Sequence, residues 1–201
     1  LAVAPDGQYL VSGSFDRSVR LWRLSDGMLV RTFAVFSFVV EGVAVSPCGA
    51  FVAACSAENR FLLWRLDNGR LERVVSAPGA VRRLAFSSDG AWLAALGGGQ
   101  LYLYRVSNWQ LERTITFAAL GSAVAFSPDN SLVAVGTDNG VFIYRRDTGA
   151  LVRQFITQNR VLSLAFAPNG RYLAFGGFEP LVRLWDLQTG TIRSLSGHSV
   201  Q

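Results

Sequence analysis

Apolar and polar positions along the chain form short apolar runs closed by polar turns, which predicts a succession of β-strands. Residues 101–104 are all apolar, and this run is too continuous for a strand with one face in water. Strands of this kind are buried on both faces. Twenty glycines and an aromatic content of 12% also favour short strands joined by tight turns over long helices. The sequence therefore predicts an all-β fold.

One strand-and-turn segment recurs five times, at intervals of about 40 residues. Its copies occupy residues 1–7, 43–49, 84–90, 124–130 and 164–170, and each is an apolar strand that ends in a turn. The last position is glycine in four copies and Asn130 in the other. Because glycine adopts a positive φ at little cost and asparagine tolerates it well, this position is predicted to need that conformation.

Two further positions keep the same spacing in every repeat. An aromatic residue closes the third predicted strand, at Trp22, Trp64, Tyr104, Tyr144 and Trp185, which stand 42, 40, 40 and 41 residues apart. An arginine follows on the fourth strand, at Arg31, Arg73, Arg113, Arg153 and Arg193. A four-stranded sheet cannot cover its own two faces, so neighbouring sheets must stack, as the blades of a β-propeller do. Blades are predicted at residues 1–33, 41–75, 81–115, 122–155 and 161–195.

The repeats resemble the WD40 family across the whole chain. The matching features are the strand-and-turn segments, Ser12-Gly-Ser14, Asp16, Val19-Arg-Leu-Trp22, the Trp185-Asp186 dipeptide and the Gly197-His198 pair. The resemblance implies four-stranded antiparallel blades, with strands a (innermost), b, c and d (outermost). It also places the d–a connectors and the b–c turns on one face. The five blades would form a closed ring or an open arc of a larger propeller. Because the chain lacks an initiator Met and begins within a strand, we expect a single propeller unit or a fragment.

The resemblance further implies a hydrogen-bonded tetrad that pins a blade, formed by a His, a Ser or Thr, an Asp and a Trp. Only the first blade has the last three, at Ser12, Asp16 and Trp22, and the only His in the chain is His198. In a closed ring His198 completes this set, whereas in an open arc it serves a further blade. A Ser-His-Asp nucleophile uses the same residue types, but the structural tetrad explains them without catalytic geometry.

No motif in the chain calls for catalysis. The Gly97-Gly-Gly99 run lacks the Lys-Ser/Thr tail of a phosphate loop and is interpreted as a shortened b–c turn. The sequence shows neither paired carboxylates suited to acid–base chemistry nor a metal-ligand pattern. Cys48 and Cys55 are interpreted as free thiols of a reducing compartment. We expect no enzymatic activity, no cofactor and no metal site.

The charge of the chain comes from nineteen arginines and fourteen acidic residues, which give a net charge of +5. A nucleic-acid binder concentrates such charge on one face among stacking aromatics, whereas here five arginines recur on strand d and are predicted to line a solvated rim. The longest apolar stretch, residues 32–40, ends at Glu41 and is too short to span a bilayer. We expect a cytoplasmic protein with neither nucleic-acid nor membrane partners, and the sequence leaves its oligomeric state open.

Function is predicted on the face that the family uses for binding. Its connectors and turns place aromatic and charged side chains there: Phe15, Arg17, Phe36, Phe38, Arg60, Phe117, Arg160, Phe178 and Glu179. Aromatics and arginine dominate binding hot spots, although each phenylalanine could equally fill a gap between blades. We predict a protein-interaction scaffold or sensor module that binds proteins or peptides as part of a larger regulatory protein. The alternatives are an architectural or assembly element and a propeller-fold enzyme.

Overall fold

The protein consists of five four-stranded antiparallel sheets, each with its strands in chain order. The computed structural model describes residues 1–198, apart from the side chains of residues 34 and 35, and this part of the chain contains no helix. Each sheet is a meander in which strand a pairs with b, b with c and c with d. The predicted all-β fold of five four-stranded blades is confirmed.

The strand bounds follow the repeat. The first sheet contains β1 (Ala2–Val3), β2 (Tyr9–Gly13), β3 (Ser18–Arg23) and β4 (Leu29–Val35). The second contains β5 (Gly42–Val45), β6 (Phe51–Cys55), β7 (Arg60–Arg65) and β8 (Leu71–Ser76). The third contains β9 (Arg83–Phe86), β10 (Trp92–Gly97), β11 (Gln100–Arg105) and β12 (Gln110–Thr116). The fourth contains β13 (Gly121–Phe126), β14 (Leu132–Thr137), β15 (Gly140–Arg145) and β16 (Leu151–Ile156). The fifth contains β17 (Val161–Phe166), β18 (Tyr172–Gly177), β19 (Leu181–Asp186) and β20 (Ile192–Ser196).

The a–b turns have the backbone conformation that the repeated glycine predicts. Gly7 has a φ of 68°, and Asn130, which replaces glycine in the fourth copy, has a φ of 58°. In this fourth turn the backbone N–H of Asn130 donates to the carbonyl of Ser127 at 2.9 Å. The Asp129 carboxylate accepts from the backbone N–H of Ser131 at 3.1 Å, a local hydrogen bond that stabilises the turn.

The sheets stack face to face, and this stacking explains the continuously apolar strands. Val11 and Val19 of the first sheet share one buried cluster with Val52, Ala54 and Trp64 of the second. The alternate residues of the second sheet face the third sheet. Because the side chains of a strand point alternately to its two faces, both sets must be apolar in an interior sheet. Packing of this kind joins each sheet to the next along the chain.

The two end sheets each have a face that no other sheet covers within the described part of the chain. The aromatic anchors Trp64, Tyr104, Tyr144 and Trp185 are buried, whereas Trp22 of the first sheet is only half-buried. In the fifth sheet Leu184 is half-buried, although its counterpart Ile143 in the fourth sheet is fully buried. Among described residues, no packing of comparable extent joins the first sheet to the fifth. Whether a larger assembly closes the array stays a prediction, as does the assignment of the chain as one unit or a fragment.

The strand-d arginines are not simply a solvated rim, and this part of the sequence interpretation needs correction. Arg113 of the third sheet donates to the carbonyl oxygens of Asp147 and Thr148 in the c–d turn of the fourth, at 3.0 Å for Thr148. Arg31 of the first sheet lies in the same way over the c–d turn of the second, 3.5 Å from the Asp67 carbonyl. We call this contact the arginine clasp: a strand-d arginine of one sheet lying over the c–d turn of the next.

Candidate protein-binding face

The topology brings the b–c turns and the d–a connectors together on one face, which we call the loop face. In the first sheet, strand b ends at Gly13 opposite Val19 near the start of strand c. Strand d ends at Val35, opposite Ser18. The connector is also tied to the turn directly, since the backbone N–H of Phe36 donates to the Arg17 carbonyl at 2.8 Å. The same order of strands repeats the arrangement in all five sheets.

Three of the predicted phenylalanines project from this face into solvent. The exposed fraction is 87% for Phe15, 61% for Phe38 and 69% for Phe178. Phe15 and Phe38 lie on segments joined by backbone hydrogen bonds, one of which runs from the Val40 N–H to the Ser14 carbonyl at 3.1 Å. The same face also exposes Leu120 in the connector between the third and fourth sheets. Sequence reasoning missed Leu120 because a single apolar connector residue has no distinguishing pattern.

Two other predicted phenylalanines belong to the core instead. Phe36 is only 6% exposed and lies edge-on to Trp64, with 6.1 Å between ring centroids. Phe117 is half-buried and packs against Tyr144 with a centroid distance of 6.3 Å. These two rings fill the space between adjacent sheets, so we remove them from the candidate binding surface.

The predicted arginines of the loop face differ in their exposure to solvent and in the hydrogen bonds that they already form within the chain. Arg17 is exposed and has a positive φ of 70° in the first b–c turn. Arg60 is exposed and donates from Nε to the Glu58 carboxylate at 2.6 Å. Arg160 is half-buried, and its Nε is buried without a hydrogen-bond acceptor among the described residues. Arg17 is therefore the arginine most available to a partner.

Glu179 stabilises the fifth sheet rather than projecting from it. Its carboxylate accepts from Thr157 Oγ1 at 3.0 Å and from Asn159 Nδ2 at 3.2 Å, both on the connector that enters the sheet. It also pairs with the Arg183 guanidinium of strand c. The hydrogen bond from Arg183, followed by that from Asn159, lowers the pKa of Glu179. The carboxylate thus links connector, turn and strand c, which is the task that the resemblance assigns to a tetrad.

The tetrad predicted for the first sheet is formed in part. Trp22 Nε1 donates to Ser12 Oγ at 2.8 Å, as the resemblance implies. Asp16 accepts from Ser18 Oγ at 2.6 Å and pairs with Arg20 at 2.7 Å, and the hydrogen bonds from Ser18 lower its pKa. His198 borders a groove of the fifth sheet that is also lined by Phe178 and Leu181. That His198 completes the tetrad of the first sheet stays a prediction.

Residues of the innermost strands line an open space of about 500 Å³. Most residues that line this space are small or apolar. One exception is Arg83 of strand a in the third sheet, whose guanidinium reaches backbone carbonyls beside the second sheet and in the fourth. It donates from Nη1 to the Glu41 carbonyl at 2.8 Å and from Nε to the Ser122 carbonyl at 3.0 Å. Glu41 also pairs with Arg82. Sequence reasoning missed these charged residues, of which Arg83 satisfies backbone carbonyls at the level of the innermost strands.

Two negative observations apply to residues 1–198. No helix there is long and apolar enough to cross a membrane. No group of three or more His, Cys, Asp or Glu side chains is placed there to hold a metal ion.

The comparisons with known proteins agree with this architecture. A family model described as "WD domain, G-beta repeat" matches residues 1–23, 27–65 and 69–105. A second, described as "Anaphase-promoting complex subunit 4 WD40 domain", matches residues 124–199. Together the two models extend from the first sheet to the fifth. The chain belongs to the WD40-repeat family, which confirms the family predicted from its sequence.

A short segment also matches a protein of Saccharomyces cerevisiae named Ribosome assembly protein 4. The two are 52% identical over 33 residues, which is 16% of this chain and 6% of that protein. The match therefore covers only a small part of either protein. The family and this match support a general role as a protein-interaction scaffold.

Proposed function

We propose that the chain is a non-enzymatic protein-interaction module that binds a protein or peptide partner on its loop face, chiefly through Phe15 and Phe38. One observation supports this assignment above the others. Two phenylalanine rings are largely exposed on segments that hydrogen bonds hold together, on a face where Phe36 and Phe117 are packed away. Exposed aromatic rings on a rigid scaffold are typical of binding hot spots.

Burial of the Phe15 and Phe38 rings against a partner would stabilise the complex. Burying a phenylalanine side chain that is otherwise exposed contributes about 1.5–3 kcal/mol. The backbone that bears the rings is already ordered by the bonds between the b–c turn and the connector, so little ordering cost accompanies binding. Arg17, beside Phe15, adds a guanidinium for an acidic or carbonyl group of the partner. We infer an extended peptide segment with apolar side chains and at least one acidic residue.

The wider role is also a proposal. The name of the yeast relative, which matches 33 residues of this WD40-repeat chain, refers to ribosome assembly. We take from it only the idea that such repeats take part in building larger protein assemblies. We propose accordingly that this chain serves as the scaffold or sensor part of a larger regulatory protein.

The test starts by selecting peptides from a random-peptide phage library on the immobilised chain. The Kd of the selected peptides is then measured for the wild type and for the F15A/F38A double variant. We expect the double variant to bind at least about tenfold more weakly, since losing two hot-spot rings costs more than about 1.4 kcal/mol. A separate F178A variant tests the third exposed ring, which lies on the fifth sheet.

The matched control removes exposed apolar side chains from elsewhere on the molecule. Met28 of a c–d turn and Leu151 at the start of β16 are exposed and lie away from the loop face. The M28A/L151A variant should bind the selected peptides as the wild type does. Equal loss of binding in both double variants, or none in F15A/F38A, would show that the peptides use another surface.

A further inference from the structure

The face opposite the loop face carries the a–b and c–d turns, and we call it the turn face. One position on it, the residue that directly follows strand c, is apolar in four sheets and arginine in the fourth. Its backbone N–H always donates to the carbonyl of the residue before strand b. The five residues at this position are Leu24, Leu66, Val106, Arg146 and Leu187. A local departure from a repeated pattern is expected at functional sites.

Arg146 and Arg105 both stack on the ring of Trp92. The Cζ atom of Arg105 lies 3.9 Å from the ring centroid, and that of Arg146 lies 4.6 Å from it. Trp92 is buried among residues of the third and fourth sheets. Arg105 is its partner across strands b and c, whereas Arg146 belongs to the fourth sheet. Two positive side chains are thus held against one ring, at the turn-face end of the contact between these two sheets.

The two guanidinium groups keep hydrogen-bonding capacity for a further acceptor. Stacking on a ring occupies the flat face of a guanidinium and leaves the N–H groups at its edge to donate. The Nε of Arg146 is buried without an acceptor among the described residues. The Nε of Arg105 lies 3.7 Å from Glu112 Oε1, which is longer than a hydrogen bond. An acceptor placed between the two arginines would therefore gain hydrogen bonds that the described residues do not supply.

The acidic side chains nearby indicate which anion fits. Glu112 lies beside Arg105. Asp89 is close enough to Arg146 to be affected by its charge: burial by itself would raise the pKa of Asp89, but hydrogen bonds from Ser87 and Ala91, together with the charge of Arg146, lower it. Two arginines and two carboxylates leave the cluster without net charge, so it does not favour a dianion. A singly charged carboxylate suits it better, since its two oxygens match the planar edge of a guanidinium.

We propose that Arg105 and Arg146 form a carboxylate-binding site on the turn face, which takes an Asp or Glu side chain from an acidic segment of a partner protein. Trp92 holds both guanidinium groups in place before binding, so little side-chain ordering accompanies it. The site lies at the opposite ends of the strands from Phe15 and Phe38. The chain therefore has two separate binding surfaces.

Binding is tested with a fluorescein-labelled hexaglutamate peptide, by fluorescence anisotropy on the 201-residue chain. R146L introduces the leucine that two other sheets bury or half-bury at this position. It should raise the Kd at least about fivefold, because a charged donor to the carboxylate is lost. The control R145L removes the same charge from the exposed neighbouring residue and should change the Kd less than about twofold. Equal weakening in both variants would reveal only general attraction to a basic chain and would overturn the proposal, as would a wild type that does not bind.

Nuclear magnetic resonance locates the bound peptide. The Nε–H signal of Arg146 is assigned as the one that is missing from the proton–nitrogen spectrum of R146L. Hexaglutamate should shift this signal in the wild type. If other signals move while that of Arg146 stays in place, the peptide binds elsewhere and the proposal is wrong.

Two further measurements separate this site from a phosphate site and from the loop face. Inorganic phosphate should displace hexaglutamate no better than sodium chloride of equal ionic strength does. Displacement by phosphate alone would identify a phosphate site and overturn the assignment to an acidic segment. F15A/F38A should bind hexaglutamate as the wild type does, so the outcome at the loop face does not decide the outcome here. Loss of hexaglutamate binding in F15A/F38A would place the peptide on the loop face and contradict the proposal.

Discussion

Arg113 donates a 3.0 Å hydrogen bond to the backbone carbonyl of Thr148, and this contact joins the outermost strand of the third sheet to the c–d turn of the fourth. A second bond from the same guanidinium reaches the Asp147 carbonyl. The turn carbonyls would otherwise be satisfied only by water. The contact therefore contributes to cohesion at the outer edge of the array, where the strands are most exposed.

Replacing Arg113 with Ala is expected to lower the free energy of unfolding by about 1–2 kcal/mol, because two hydrogen bonds from a charged donor are lost at a partly exposed site. Urea denaturation measures this difference. Arg73 provides the control: it is exposed, and the following turn holds Trp109 where other turns have glycine. Arg73→Ala should change stability by less than about 0.5 kcal/mol. Equal urea midpoints for the two variants would show that the clasp contributes nothing measurable.

Phe36 and Phe38 are two residues apart but should differ sharply in their effect on stability. Phe36→Ala removes a buried ring in contact with Trp64 and should destabilise the chain by about 3–5 kcal/mol. Phe38→Ala removes an exposed ring and should shift the free energy of unfolding by less than about 0.5 kcal/mol. Thermal and urea unfolding of the two variants check this. A similar loss in both would place Phe38 in the core.

Much of the fold is predictable from the sequence because the residues that a turn or a buried strand requires recur at the same positions of the repeat. The positive φ of Asn130 follows from the glycines at the equivalent turn positions. The burial of Trp64 and Trp185 follows from aromatic anchors at constant spacing. Both features are local, and five copies make each of them visible above the variation of single residues.

The parts that sequence reasoning missed depend on contacts between segments. Nothing in the local sequence distinguishes Phe36 from Phe38, since their burial is decided by how the connector passes Trp64. The pairing register of strands b and c is a second example, because the b–c turns of the third and fourth sheets are shorter than that of the first. Ser12 pairs with Arg20 across strands b and c, and the equivalent position in the third sheet is Ala95, which pairs with Tyr102. Counting ten residues back from the aromatic anchor, the distance from Trp22 to Ser12, gives Ala94 instead.

Asp186 should make the fifth sheet sensitive to acid. The hydrogen bond from Arg171, with further bonds from the backbone of Thr189 and Gln188, lowers the pKa of its carboxyl to about 2. A lowered folded-state pKa contributes stability that is present above the unfolded value, near 3.8, and is lost as pH falls towards 2. Asp186→Asn should therefore lower the melting temperature at neutral pH, and the difference from wild type should shrink between pH 4 and 2.

The matched control for this prediction is Asp147→Asn. The Asp147 carboxylate accepts from the N–H of Thr148 but makes no ion pair among the described residues. Asp147→Asn should lower the melting temperature at neutral pH by less than Asp186→Asn does. A melting-temperature difference for Asp186→Asn that stays constant from pH 7 to pH 2 would contradict the proposed link to ionisation.

The two cysteines should differ in reactivity. Cys48 is exposed, and its contact with Ser46 lowers its pKa. Cys55 is fully buried, and burial raises its pKa. A thiol-specific chromogenic reagent should modify one group per native chain and both groups after denaturation, because the exposed thiolate is the nucleophile. Cys48→Ser should abolish the native reaction, and rapid modification of that variant would show that Cys55 becomes accessible in the folded state.

The location of binding is the central claim, and hydrogen exchange of the chain with and without a selected peptide tests it most directly. The peptide should slow exchange in the first b–c turn, residues 14–17, and in the connector at residues 36–41. The c–d turns at residues 25–27 and 67–69 should exchange as they do in the free chain. Protection confined to those c–d turns, or to β19 and β20, would contradict the assignment of the loop face as the binding surface.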